Sequence, residues 1–174
     1  MRSLTTTSYA LLGLLALRPW SAYELTGFMR TSAIRRYWPR TQSRLYSEPK
    51  NLAAHGLVKA TREHNGRRRR TVYRVTAKGR RALGRWLGLP PAHVQTWDEA
   101  MLKLMLVDLG TREQALATIR AALEHLVGDA RYVLEFAGRV AHARGRFPER
   151  RHISALSARE LTGSMRARLD YLRW

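Results

Sequence analysis

At Gly56 the hydrophobic period of this chain changes, and no other feature restricts its possible folds so strongly. Upstream, apolar residues recur at helical spacing. Downstream, Leu57 to Arg62 and Thr71 to Thr76 alternate as strands do. The stretch from Glu63 to Arg70 joins these two runs, and Asn65-Gly66 within it is a strong hairpin-turn signal. Helices are therefore predicted to give way to a β-hairpin with Arg67, Arg68, Arg69 and Arg70 at its tip. Four consecutive arginines repel one another unless a polyanion lies close, the alternative being a solvated charged loop.

The upstream helices can be placed one by one. Thr5 to Leu17 is apolar on nearly all sides through Tyr9, Leu11, Leu12, Leu14, Leu15 and Leu17, which predicts a buried central helix ended by Arg18 and Pro19. Ser21-Ala22-Tyr23-Glu24 has capping-box spacing and opens a second helix with Leu25, Phe28 and Met29 inward. A polar connection through Arg35 and Arg36 leads to a third, with Thr41 as N-cap and Gly56 suited to a left-handed C-cap.

On this third helix Leu45, Leu52 and Ala53 share one face, while Gln42, Ser43, Tyr46, Lys50 and Asn51 project from the other. Gln and Asn pair bidentately with adenine, Arg44 with guanine or a phosphate, and Tyr46 and Ser47 with backbone oxygens, the repertoire of a groove-reading helix. A solvated polar face is the plain alternative. Pro49 breaks the pattern. Either it kinks the helix, at ~3 kcal/mol in an ordinary interior, or the helix restarts at Ser47 or Glu48 with proline in its first turn; the sequence leaves both open. Thr76 caps a further helix, Ala77 to Leu87, expected to bury Leu83, Trp86 and Leu87 and stopped by Gly88-Leu89-Pro90-Pro91.

Three helices followed by a basic hairpin describe a winged helix-turn-helix. In that geometry the third helix enters the major groove while the hairpin reaches the backbone or the minor groove. Tyr23 from the second helix and Thr71 and Tyr73 from the hairpin complete the candidate DNA contacts.

Charge points the same way. Of 32 Lys and Arg and 13 Asp and Glu, residues 1–96 carry 19 basic and only 3 acidic side chains (Glu24, Glu48, Glu63), an excess of 16. Residues 97–174 hold 13 against 10. Basic charge confined to one module is the electrostatic footprint of a polyanion partner, since neutralising phosphates releases counterions. An anionic membrane would call for a basic amphipathic helix with a broad apolar face, and none is evident in this half. No apolar run reaches the ~20 residues of a membrane span, and no signal-type N-terminus is present. A cytoplasmic location is expected. With no cysteine, disulfides and thiolate metal sites are excluded.

The second half points to association. Leu116, Ile119, Leu123, Leu126, Ala130, Val133, Ala137 and Val140 alternate at spacings of three and four, a seam of more than three heptads. Ile153, Leu156, Leu161, Met165, Leu169 and Leu172 form a second stripe, which offers a partner from the same chain or from a second subunit. Two-fold pairing is favoured because one winged helix reads few bases. Leu116, Ile119, Leu123, Leu126, Val133, Leu161, Met165 and Leu169 are the expected dimer contacts.

The fold class expected is mainly α with a small β-hairpin. A winged helix-turn-helix over residues 1–88 is followed by a linker over 89–96 and a helical, coiled-coil-like dimerisation domain over 97–174. No enzyme constellation is present. The histidines at 55, 64, 93, 125, 142 and 152 lack metal-ligand spacing, and neither a nucleophile elbow nor a glycine-rich phosphate loop occurs. No cofactor is expected. Asp98 and Glu99 open a helix, where acids favour the dipole. Trp97 with Met101 and Met105 offers an adaptable apolar pocket for an effector, the alternative being that Trp97 staples the linker to the core.

Together, Tyr9-Ala10-Leu11-Leu12-Gly13-Leu14-Leu15, Ser21-Ala22-Tyr23-Glu24-Leu25, Leu45-Tyr46, Leu52, Gly56-Leu57-Val58 and Tyr73-Arg74-Val75-Thr76-Ala77-Lys78-Gly79 resemble the PadR family of bacterial winged-helix transcriptional regulators. The run from Trp97 to Leu104 is similar to the start of the helical C-terminal domain of that family's longer members. The likeness covers most of the chain and is looser beyond about residue 110; Pro49 stands where a leucine is expected. The resemblance implies a homodimer on a roughly palindromic double-stranded operator, usually a repressor, with some members releasing DNA on binding an aromatic or other hydrophobic effector. The rival readings are a protein-binding co-regulator or sensor with secondary DNA contact, and non-specific nucleic-acid packaging.

Overall fold

The computed structural model describes residues 3–39, 41–65, 68–142, 144 and 146–173, and only the backbone of Gln42, Asn65 and Arg68. The chain divides into two compact units, Met1–Ala92 and His93–Trp174.

In the first unit the apolar run becomes α1, Thr6–Leu17, and Leu11, Leu12, Leu14 and Leu15 are buried on several of its sides, as expected of a central helix. Pro19 stops α1, and the chain enters a two-residue strand, β1 (Trp20–Ser21). Two residues are too few to show a period, so this strand was not expected. Trp20 is wholly buried, its indole N–H donating to Leu14 O at 2.8 Å. Ser21 then caps α2, Ala22–Thr31, in the expected capping box with Glu24.

The arginine-rich connection contains one helical turn, α3 (Ile34–Tyr37). The next helix, α4 (Gln42–Ala54), is continuous through Pro49. Thr41 has the extended backbone of an N-cap but makes no side-chain capping bond. The other end is closed fully: Gly56 lies at φ 68°, Leu57 N–H reaches Leu52 O at 3.0 Å, and Gly56 N–H reaches Ala53 O at 2.9 Å, a Schellman motif.

Strands β2 (Val58–Asn65) and β3 (Arg68–Val75) pair antiparallel, and β1 adds to the far side of β3, giving the order β1-β3-β2. Both long strands extend beyond the predicted limits, so Glu63, His64, Arg69 and Arg70 belong to the ladder and not to a loop; Glu63 lies opposite Arg70 and Asn65 opposite Arg68. Of the predicted Asn65-Gly66 turn, Gly66 lies outside the described residues, as does Arg67 after it.

Thr76 caps α5, Ala77–Leu87, by accepting from Gly79 N–H at 3.0 Å. The start of α5 is fastened to the corner after α4. Thr76 donates from its hydroxyl to Gly56 O and Leu57 O, and Lys78 Nζ donates to His55 O. A Cβ at Gly79 would collide with the carbonyl oxygen of Leu57, so only glycine fits there. The inward side of α5 is Gly79, Ala82, Leu83 and Trp86, with Trp86 stacked on Tyr9 at 5.1 Å. Leu87, expected inside, is exposed, while Trp86 beside it makes the contact to α1.

In the second unit Asp98 caps α6, Glu99–Met105, by accepting from Met101 N–H. A 3₁₀ turn (Val107–Leu109) leads to α7, Arg112–Ala141, opened by a capping box of Thr111 and Gln114. A second 3₁₀ turn (Pro148–Arg150) precedes α8, Arg151–Arg173. Helices α7 and α8 pack on each other within the chain and bury Ala122, Leu126 and Val133 against Ala158 and Leu161. Among the described residues no helix is long and apolar enough to cross a membrane.

Candidate nucleic-acid interface

The inward side of α4 consists of Leu45, Glu48, Pro49 and Leu52, all buried. Glu48 is the unexpected member. Its carboxylate accepts from the buried Ser8 hydroxyl at 2.5 Å and from Asn51 Nδ2 at 3.1 Å, which ties α4 to α1 through a polar contact inside an apolar layer. An ionised carboxylate only accepts, so both neighbours must donate to it. Pro49 lies against the same core, and its buried ring offsets part of the lost backbone hydrogen bond.

With these four residues turned in, Thr41, Ser43, Arg44, Tyr46, Ser47 and Lys50 are exposed, as the amphipathic pattern predicts. Together with Glu48 and Asn51, several of them rim an open hollow along the helix. Asn51 departs from the expectation: it is half-buried and already donates to Glu48, so it does not project freely. The side chain of Gln42 lies outside the described residues. Tyr23 on α2 is 76% exposed.

The wing separates the remaining expected contacts. Arg69 and Thr71 are exposed, and Arg70, between them, is half-buried, as the two-residue period of a strand requires. Tyr73 is not available to a duplex. It is 5% exposed, paired with Trp20 across the β1–β3 ladder, and burial pushes its phenol up from the ordinary value. Tyr73 was expected among the DNA contacts, but it is a core residue of the sheet, with the buried Trp20 as its neighbour across the β1–β3 ladder. Arg67 and the side chain of Arg68 lie outside the described residues.

All three acids of the basic half are engaged within the fold. Glu48 holds Ser8 and Asn51; Glu63 pairs with Arg70 at 3.5 Å and with Arg74 at 2.9 Å. Glu24 caps α2 and faces Arg18 at 3.9 Å and Arg70 at 3.7 Å. Burial pushes the Glu24 carboxyl up, but hydrogen bonds from Ser21 and the nearby Arg18 and Arg70 outweigh it, leaving a value below the ordinary one. The positive field of Arg44, Lys50 and Arg69 is thus left to the solvent side.

In the second unit, the structure places Leu126, Val133 and Leu161, expected between subunits, inside the α7–α8 contact of one chain. Leu116, Ile119, Leu123, Met165 and Leu169 are half-buried. The large apolar side chains left outside on α7 and α8 include different ones: Val127 and Leu134, seven residues apart on α7, at 68% and 67% exposure, and Leu156 on α8 at 69%. Trp97 is 92% exposed. Met105 is exposed, and Met101 accepts from the Tyr171 hydroxyl through its sulfur. Asp98, besides its cap, pairs with Arg168 at 2.6 Å, and Glu99 pairs with Lys103, so both acids have the structural place expected of them.

An amphipathic helix with hydrogen-bonding side chains outward, held beside a cationic three-stranded wing, defines a winged helix-turn-helix, the class that reads duplex DNA. Residues 11–85 match the Transcriptional regulator PadR-like family, so the chain carries a domain of the PadR family. It is similar over its full length to solved structures of that kind. Bacillus subtilis PadR in complex with operator DNA shares 18% identity, with 99% of each chain covered and a TM-score of 0.77. The PadR-like regulator BC1756 from Bacillus cereus shares 14%, covering 99% of this chain and 97% of that one at 0.73. B. subtilis PadR in complex with p-coumaric acid shares 18%, covering 97% and 98% at 0.68. No curated protein matches the chain.

Proposed function

We propose that this transcriptional regulator binds a pseudo-palindromic operator as a homodimer, acts in the cytoplasm as a repressor, and releases DNA when a small aromatic or hydrophobic effector binds. The observation that carries the DNA reading is the outward face of α4. Ser43, Arg44, Tyr46, Ser47 and Lys50 are exposed on one helix side while every acid of their module is engaged elsewhere. Base-edge donors and acceptors are combined there with an uncompensated positive field, which serves phosphate positioning and sequence readout together. Exposed Arg69 and Thr71 extend the contact along the backbone.

Dimerisation is supported by apolar side chains that one chain cannot cover. Val127, Leu134 and Leu156 form the core of the contact, flanked by the half-buried Leu116, Ile119 and Leu123. Trp97, Met101 and Met105 on and before α6 form the effector site, in keeping with the p-coumaric acid complex of B. subtilis PadR.

Selection of bound duplexes from a random pool tests the reading. Enrichment of a two-fold sequence with half-sites about one helical turn apart is the expected result. Equal retention of random and selected duplexes at fixed salt would replace it with non-specific packaging, and no retention would favour a protein-binding sensor. On the selected site, Lys50→Ala and Arg69→Ala each lower the slope of log affinity against log salt by ~0.9.

A further inference from the structure

We propose that Arg70 is a positioning residue for the wing and not a phosphate contact, held between the carboxylates of Glu24 and Glu63. The proposal rests on the DNA reading above. Arg70 Nη1 lies 3.7 Å from Glu24 Oε1 and Nη2 lies 3.5 Å from Glu63 Oε2, so its two terminal nitrogens engage carboxylates on different elements. Glu63 stands opposite it on β2, and Glu24 stands in the first turn of α2, so a single guanidinium on β3 joins three elements. The Nε of Arg70 is buried, whereas the next arginine along, Arg69, is exposed.

Both carboxylates are held independently of Arg70. Glu24 accepts from Ser21 N–H and the Ser21 hydroxyl, each at 2.8 Å, and Glu63 accepts from Arg74 at 2.9 Å. The acids are fixed seats, and the strand carrying Arg70 is what they locate. Charge leads to the same place: a guanidinium facing two carboxylates has little field left for a phosphate. Partly exposed pairs at these distances add little to global stability. Their effect falls on the orientation of the wing relative to α2, and through it on DNA affinity.

A clamp and a phosphate contact predict opposite outcomes for a change at Glu24. Glu24→Gln keeps the capping box, which accepts Gln at that position, and removes the charge. The clamp predicts operator affinity lowered by about fivefold, the equivalent of one partly exposed ion pair, with an unchanged salt slope. Were Arg70 a phosphate ligand restrained by Glu24, the same change would tighten binding and steepen the slope. Arg70→Ala is expected to weaken binding to the same extent at unchanged slope. Arg70→Lys gives no rescue, because one ammonium cannot reproduce a two-nitrogen span. The Glu24→Gln/Arg70→Ala double variant is no weaker than either single one. Amide exchange at Arg69 and Thr71 should quicken in both single variants. Glu24→Gln binding that equals or exceeds the unaltered protein, a slope lowered by ~0.9 in Arg70→Ala, or full rescue by Arg70→Lys would overturn the clamp. Failure of the unaltered protein to bind any duplex would instead count against the DNA reading itself.

Discussion

Ser8 and Glu48 show how one residue can be misjudged from its neighbours alone. A glutamate next to Pro49 on a polar helix reads as solvated, yet it is buried and answers to Ser8, forty positions earlier in the chain. Removing the hydroxyl leaves a buried carboxylate short of a donor. Ser8→Ala should therefore cost about 1.5–3 kcal/mol, the range for hydrogen bonds to charged groups, read from denaturant midpoints at unchanged m. Glu24 supports a prediction in pH. Its folded value is lowered below the ordinary 4.5, so its contribution is complete above the unfolded value and is lost as pH falls through the folded one. The stability gap between the unaltered protein and Glu24→Gln should be constant near neutrality and close on acidification below that value, as thermal unfolding across pH 7 to 3 would show. The pairing of Glu63 with Arg70 was not legible, since a two-residue turn at Asn65-Gly66 would set Glu63 opposite Arg68, whereas the ladder sets it opposite Arg70. Nor was the pairing of Arg70 with Glu24, because it depends on where α2 meets the sheet.

At the scale of elements, the first unit follows local chemistry at most of its helix ends, Thr41 excepted, since its hydroxyl makes no capping bond. Gly56 adopts the left-handed conformation its position suggested, and Ser21 and Thr76 cap the helices they precede. At Pro49, helix α4 continues and does not restart at Ser47 or Glu48. Burial of the Pro49 ring and the Glu48 contact to α1 hold this turn in place, and both are tertiary terms that override local propensity. At Gly79, α5 lies against the Leu57 carbonyl in the corner after α4. Gly79→Ala should destabilise the first unit by about 1–3 kcal/mol through forced displacement of Leu57, as measured by chemical denaturation. The same variant should weaken operator binding, since Leu57 is the residue that closes the end of α4.

For the whole molecule, the seam in α7 divides in two. Spacing of three and four correctly marked α7 as a helix needing a partner, but α8 of the same chain takes up Leu126 and Val133. The unmet apolar surface then moves to Val127, Leu134 and Leu156. Leu134→Glu should leave the helical content intact, convert the proposed dimer to a monomer in sedimentation, and reduce affinity for the proposed two-fold operator by at least tenfold. A Leu134→Glu protein that remains dimeric would place the subunit contact elsewhere. The winged-helix class, the basic wing and the helical second half were all present in the linear pattern, because hydrophobic period, capping residues and charge distribution are properties of near neighbours. Which arginine faces solvent, which acid is buried, and which half of an apolar stripe stays open were settled only by packing. Those outcomes depend on distances between segments far apart in the chain, and a one-dimensional pattern contains no such distances.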